Sequence, residues 1–99
     1  MVVLNSTVLD KAREATLGRM KTYGPPLWHF ESVAKLWGAF LNIELKPRDI
    51  ALMMILFKVA REVQNPTLDT KVDIAGYAQT LEMMEQHRKE MEEKAEDGK

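Results

Sequence analysis

Residues 50–57 read Ile-Ala-Leu-Met-Met-Ile-Leu-Phe, eight apolar positions with no polar interruption. The run sits between Pro47 and Asn65-Pro66. Proline suits the first turn of a helix and stops one that reaches it from the N-terminal side. The segment 47–64 therefore reads as one helix of about 27 Å. Asp49 falls at its positive end. A helix that is apolar all round is expected to be enclosed by others, which places this one at the centre of a bundle. Eight residues are far too few to span a bilayer, so no membrane segment is expected.

Three more helices follow from spacing and punctuation. Thr7 with Asp10 makes a capping-box pattern for a first helix over about 8–21. Val8, Ala12, Ala15 and Arg19 share one stripe of it. Tyr23-Gly24-Pro25-Pro26 breaks it. Phe30, Val33, Ala34, Trp37 and Leu41 recur at helical spacing in a second helix over about 28–41. Thr70 with Asp73 can cap a fourth helix over about 71–94, with Ile74, Ala78, Leu81 and Met84 facing inward. No segment alternates with period two. The expected fold is all-α, an antiparallel four-helix bundle with short connections.

Charge divides the chain. Residues 1–81 carry ten Lys/Arg against eight Asp/Glu, and residues 82–99 carry four against seven. A bundle domain over 1–84 and a charged helical tail over 85–99 are expected. Only Met91 continues the apolar pattern in that tail, so the tail protrudes or packs on another subunit. With 99 residues, a core and a pocket compete for the same volume, which favours a homo-oligomer.

Composition removes several chemistries. There is no Cys, so disulfides, thiolate metal sites and Cys nucleophiles are excluded. Two His, His29 and His87, do not make a multi-His metal site. A net charge of −1 argues against a dedicated nucleic-acid binder. The N-terminal segment has neither a basic start nor a long apolar stretch, so no signal peptide is expected and the chain reads as cytoplasmic. No cofactor or metal is called for. The glutamates of the tail are interleaved with Lys and Arg at helical spacing, which fits a solvated face.

Candidate ligand-binding residues are the polar and aromatic groups that sit oddly. Lys58 and Arg61 are neighbours on one face of the most apolar helix. Either they snorkel at its C-terminal end, with Lys58 pairing to Glu62, or they form a paired cationic site for phosphate or carboxylate. Asp69, Asp73 and Tyr77 make an i, i+4, i+8 row. Asp69 reads as an ordinary acid at a helix start. Asp73 can bridge to Lys58 or Arg61 across the bundle, orient them, or contact a sugar hydroxyl. Gly76 inside a helix costs about 1 kcal/mol relative to Ala. Close approach of a second helix or of a ligand would offset that. Tyr23, Trp28 and His29, around a stiff Gly-Pro-Pro loop, can form a stacking wall for a flat ring, or simply a helix–helix turn.

These motifs in this order carry a resemblance. Tyr23-Gly24-Pro25-Pro26, Phe30, Leu36-Trp37, Asp49-Ile50-Ala51, Met53-Met54, Lys58-Val59-Ala60-Arg61 and Asp73-Ile74-Ala75-Gly76-Tyr77-Ala78 resemble a family of small helical phage and prophage proteins of unknown function. The resemblance covers roughly 8–82. Family members commonly carry Asn before the Phe, where this chain has His29. More distantly the arrangement is similar to the MazG-like all-α nucleoside triphosphate pyrophosphohydrolases and dimeric dUTPases. That likeness implies Mg²⁺ held by carboxylates on two helices. The helix start at Asp69 and Asp73 looks similar to one half of that pattern. Lys58 and Arg61 stand where the other half is wanted, and cations cannot ligate Mg²⁺. The resemblance therefore implies non-catalytic nucleotide binding, with sequestration of a host immune-signalling nucleotide as a natural use. A MazG-like pyrophosphohydrolase and an inhibitor or adaptor of a host factor are the alternatives. The expected partners are a nucleotide or other phosphate-bearing small molecule and further copies of the chain.

Overall fold

The computed structural model describes residues 4–98. Residues 1–3, which begin the N-terminal segment read above as lacking a signal peptide, and Lys99 at the end of the charged tail lie outside them. The described residues form four helices and no strand: α1 (Thr7–Tyr23), α2 (Pro26–Leu41), α3 (Pro47–Gln64) and α4 (Leu68–Asp97). They pack as a helical bundle.

The helix ends follow local chemistry, with three shifts from expectation at N-terminal ends, while α1 and α4 run two and three residues beyond their expected C-terminal ends. Ser6, not Thr7, is the N-cap position of α1, and its hydroxyl lies 2.8 Å from Asp10 Oδ2. Helix α2 begins at Pro26, two residues early, because the second proline occupies the first helical turn instead of the break. Thr67, not Thr70, caps α4: its Oγ1 accepts the Thr70 N–H at 3.1 Å. That moves the start to Leu68 and places Asp73 in the second turn, inside the bundle. Helix α3 has the expected bounds. Asp49 accepts the Lys46 N–H at 2.9 Å, the reciprocal half of a capping box.

Helix α2 ends in a Schellman motif. Asn42 is left-handed (φ 58°), Ile43 N–H donates to Gly38 O at 3.0 Å, and Asn42 N–H donates to Ala39 O. The returning chain passes so close that a Cβ on residue 38 would lie 2.7 Å from Ile43 O.

The core is built from Leu27, Phe30, Ala34, Ile50, Ala51 and Met84, flanked by Val33, Leu45, Met53, Met54, Tyr77 and Leu81. Helix α4, not α3, is the central element: it packs on all three others, whereas α3 makes no contact with α1. This corrects the expectation that the most apolar helix is enclosed. Ile50 and Ala51 are buried, but Leu56 is 67% exposed and Val63 81%. The outer face of α3 is open.

Between α1 and α4 the packing uses small side chains. Ala12 and Thr16 of α1 and Val72, Gly76 and Thr80 of α4 are buried. The two threonine hydroxyls donate back to their own helices, Thr16 to Ala12 O and Thr80 to Gly76 O, each at 2.8 Å. Burying them therefore leaves no unpaired donor. The inward stripe of α4 differs from the one expected: Met84 is on it, Ile74 and Leu81 are half-buried, and Ala78 is exposed. Beyond Met84 the helix runs unbroken to Asp97, exposed except for half-buried His87. The molecule is correspondingly long, 58 × 33 × 22 Å.

Candidate functional site

Where the end of α1, the start of α2 and the third and fourth turns of α4 meet, a cavity of about 90 Å³ opens to solvent. Thr16, Arg19, Tyr23, His29, Phe30 and Tyr77 are among its walls. Local sequence explains each placement. Gly24, at φ 78°, terminates α1 directly after Tyr23, and Pro26 restarts the helix so that His29 and Phe30 lie in its first turns. Phe30 is buried, so the ring of His29 beside it is directed to the rim.

The aromatic rings form a continuous row. Tyr23 stacks on His29 with centroids 5.0 Å apart and planes 23° apart. His29 tilts against Phe30 at 5.7 Å, and Phe30 against Tyr77 at 6.4 Å. The guanidinium of Arg19 closes the inner end, 5.1 Å from the Tyr77 ring centroid. This is cation–π geometry, worth roughly 0.5–2 kcal/mol depending on desolvation. Arg19 is half-buried and has no carboxylate partner among the described residues. Gly76 makes room for it: a Cβ there would lie 3.3 Å from Arg19 Nη2 and 3.8 Å from Thr16 Oγ1. The close approach that a mid-helix glycine called for is made by α1.

Arg19 is absent from the sequence-derived candidates. A signal existed, since it continues the stripe Val8, Ala12, Ala15. A cation at the inward position of an otherwise small-residue stripe needs a reason to be there. That reason, the face of Tyr77, lies 58 positions further along the chain and is not visible locally.

The other candidates separate. Lys58 Nζ lies 2.8 Å from Asp73 Oδ2, with both side chains mostly covered. The pair ties α3 to α4 one turn before Tyr77. The pairing of Lys58 with Glu62 does not form. Glu62 is instead bonded to Lys71, which holds its carboxyl below the usual carboxylate range against the opposing effect of burial; the Thr67 N–H adds to the lowering. Arg61 is exposed and lies 5.3 Å over the Phe57 ring. Trp28 tilts against His87 of α4 at 5.6 Å, away from the cavity wall. Asp69 is exposed in the first turn of α4, where it offsets the helix dipole. Tyr23, His29 and Tyr77 are thus brought to one cavity, and Lys58, Arg61, Asp73, Trp28 and Asp69 do not line it.

Among the described residues no group of three or more His, Asp or Glu is placed to hold a metal ion. No helix of the described residues is long and apolar enough to cross a membrane.

Residues 7–85, which span all four helices up to the last core residue, match the DUF6378 family, described as a domain of unknown function. The chain belongs to the DUF6378 family. The chain is similar to the gene 55 protein of Mycobacterium phage L5, at 45% identity over 82 residues. These make up 80% of this chain and 53% of that protein. It is also similar to the gene 55 protein of Mycobacterium phage D29, at 35% identity over 81 residues, 80% of this chain and 54% of that protein. The chain thus spans about half the length of the curated relatives it matches. No solved structure matches. The DUF6378 segment contains every residue of the cavity, and it ends where α4 leaves the bundle.

Proposed function

We propose that this DUF6378 chain is a non-catalytic, phage-type binder of a nucleotide or another phosphate-bearing small molecule, and that the Arg19 cavity is its site. One observation carries the reading. Arg19 is the half-buried cation that no carboxylate neutralises, and it is fixed over a tyrosine at the foot of an aromatic row. A guanidinium held in that way presents its N–H edge to an anion through charge-assisted bonds. The exposed Tyr23–His29 stack at the rim offers a face to a planar ring.

Size supports a divided role. A cavity of about 90 Å³ takes a phosphate-sized group but not a whole nucleotide, since drug-sized ligands occupy about 300 Å³ or more. The ring would therefore rest outside, on the rim. Lys58 and Asp73 brace α4 beneath Tyr77 and do not touch the anion. Because the relatives are phage proteins, sequestration of a host signalling nucleotide is the use that best fits this chemistry.

The MazG-like hydrolase reading draws less support. Its chemistry needs carboxylates free to ligate, and Glu62 and Asp73 are each held by a lysine.

Calorimetry of the full chain against a panel of mono-, di- and cyclic nucleotides tests the proposal. Binding by wild type should fall by about tenfold or more in Arg19→Met, and Arg61→Met should bind as wild type does. Equal binding by wild type and Arg19→Met would overturn the site. Turnover of any nucleotide with Mg²⁺ would overturn the non-catalytic assignment.

A further inference from the structure

The charge of the Arg19 cavity narrows what it can hold. Among the described residues its walls include one Lys or Arg, Arg19, and no Asp or Glu. Lys58 is paired with Asp73 and lies outside those walls. A single guanidinium thus brings one positive charge to a space of about 90 Å³. An anion that enters it leaves water, and each negative charge without a counter-charge makes that transfer costly. One charge is matched and a second is not.

The hydrogen-bonding groups of the walls point the same way. Thr16 and Thr80 are both buried. Each donates its proton to its own helix, to Ala12 O and to Gly76 O. A hydroxyl has one proton and two lone pairs, so these two offer the cavity acceptors and no donor. The loop adds no donor either: the Gly24 N–H donates to Met20 O at 2.9 Å, and Pro26 has no N–H. Acceptors repel the third terminal oxygen of a phosphomonoester, which shares its two negative charges. They repel an ester oxygen far less. A phosphodiester keeps two unesterified oxygens and one charge, which is what the fork of a guanidinium takes through two parallel N–H···O bonds.

We propose that the anion received by the Arg19 cavity is the singly charged phosphodiester of a nucleotide, in preference to the terminal phosphate of a mono-, di- or triphosphate. The inference rests on the nucleotide-binding reading above and names the substrate class of that same site. The further phosphates of a polyphosphate chain would stand at the rim, where the Tyr23–His29 stack offers ring faces and no second guanidinium or ammonium. Stacking accepts any base. Selectivity therefore resides in the phosphate.

Calorimetry of the full chain tests this with probes that differ only at the phosphate: AMP, the methyl ester of AMP and ADP, together with their guanine counterparts. At pH 7.5 the methyl esters should bind about tenfold more tightly than the other probes. The second ionisation of a phosphomonoester lies near pH 6, so near pH 5 AMP carries one charge, as its methyl ester does throughout, and the difference between them should fall to about twofold or less. Histidine as a residue type also gains charge over this interval. The other titratable walls are Tyr23, Tyr77 and Arg19. The comparison is therefore repeated in His29→Phe, which keeps a ring beside Tyr23 and should keep the convergence.

AMP or ADP binding as tightly as the methyl ester at pH 7.5, with all binding lost in Arg19→Met, would overturn the diester assignment and leave the site standing. An advantage that persists near pH 5 would place it in the methyl group, and a convergence that vanishes in His29→Phe would place it in the histidine. Either result overturns the charge argument. No binding of any probe, or binding indifferent to Arg19→Met, would bring down the nucleotide reading itself and this inference with it.

Discussion

Gly76 and Arg19 meet where only a hydrogen leaves room: a Cβ on residue 76 would lie 3.3 Å from Arg19 Nη2. The clash is with the far end of a flexible side chain, so the guanidinium can yield by a few tenths of an ångström. Ala also gains about 1 kcal/mol of helix propensity over Gly. Gly76→Ala should therefore unfold within about 1 kcal/mol of wild type in urea, while weakening any nucleotide binding that Arg19 supports. Gly76→Val should destabilise by about 2 kcal/mol, since two γ-methyls must be fitted beyond a Cβ that already lies 3.8 Å from Thr16 Oγ1. A Gly76→Ala variant with stability lost and binding intact would mean that Arg19 serves packing alone.

The glycines of α1 and α2 give opposite signs under the same substitution. Gly18 faces open space, so Gly18→Ala should stabilise by about 0.5–1 kcal/mol. Gly38 faces the Ile43 carbonyl, a backbone atom that cannot turn aside, and Gly38→Ala should cost about 1–3 kcal/mol. Thermal unfolding of the two variants beside wild type checks both signs at once.

The Lys58–Asp73 pair predicts an asymmetric double-mutant cycle. Asp73→Ala leaves a largely covered ammonium without its partner and should cost about 1–3 kcal/mol. Lys58→Met removes the charge and keeps the aliphatic stem. In the Lys58→Met background Asp73→Ala should cost markedly less, because no cation is left stranded. Chemical denaturation of the four proteins measures the coupling. Additive effects would show that the pair contributes nothing.

Glu62 gives a pH-dependent term. Lys71 holds its carboxyl below the usual carboxylate range, so the folded state binds that proton less readily than the unfolded one. The contribution is fully present above the unfolded value and is lost as pH falls through the lowered folded one. Wild type should exceed Glu62→Gln in stability at neutral pH, by a small margin because the pair is exposed to solvent. The margin should close in acid. Urea midpoints for both proteins from neutral pH down to pH 3 test this; a gap that stays constant would mean that the carboxylate charge contributes nothing to it.

The cap of α4 is the last. Thr67 Oγ1 accepts the Thr70 N–H, so Thr67→Ala should cost about 1 kcal/mol. Thr70→Ala keeps the backbone N–H that Thr67 Oγ1 accepts and removes only the hydroxyl contact between the two threonines, so the cap bond itself should survive it. Hydrogen exchange of the first turn of α4 separates the two.

The four helices and the exact bounds of α3 were legible in the sequence, because proline, threonine caps and apolar spacing act over a few residues. The errors at helix ends were equally local. Two Thr three apart followed by acids offer two registers for one cap, and in the Thr67 register the Thr67 N–H also donates to Glu62 across the turn. The site was legible only in its aromatic half. Tyr23, His29 and Tyr77 stand out as residue types. Arg19 does not, because a lone arginine on an amphipathic helix looks the same whether it faces water or a ring.

By itself the sequence determined an all-helical chain, the breaks between its helices, the absence of thiol chemistry and the phage-family pattern of motifs. Tertiary structure alone decided that Asp73 pairs with Lys58, that Tyr77 receives Arg19, and that α4 and not α3 takes the middle. Helix formation is satisfied by hydrogen bonds four residues apart. The choice of neighbours is made by how faces fit across loops, and small residues at Ala12, Thr16 and Gly76 let α1 pack against α4. The apolar run that promised a buried centre thus lies at an edge, with one side in the core and the other exposed.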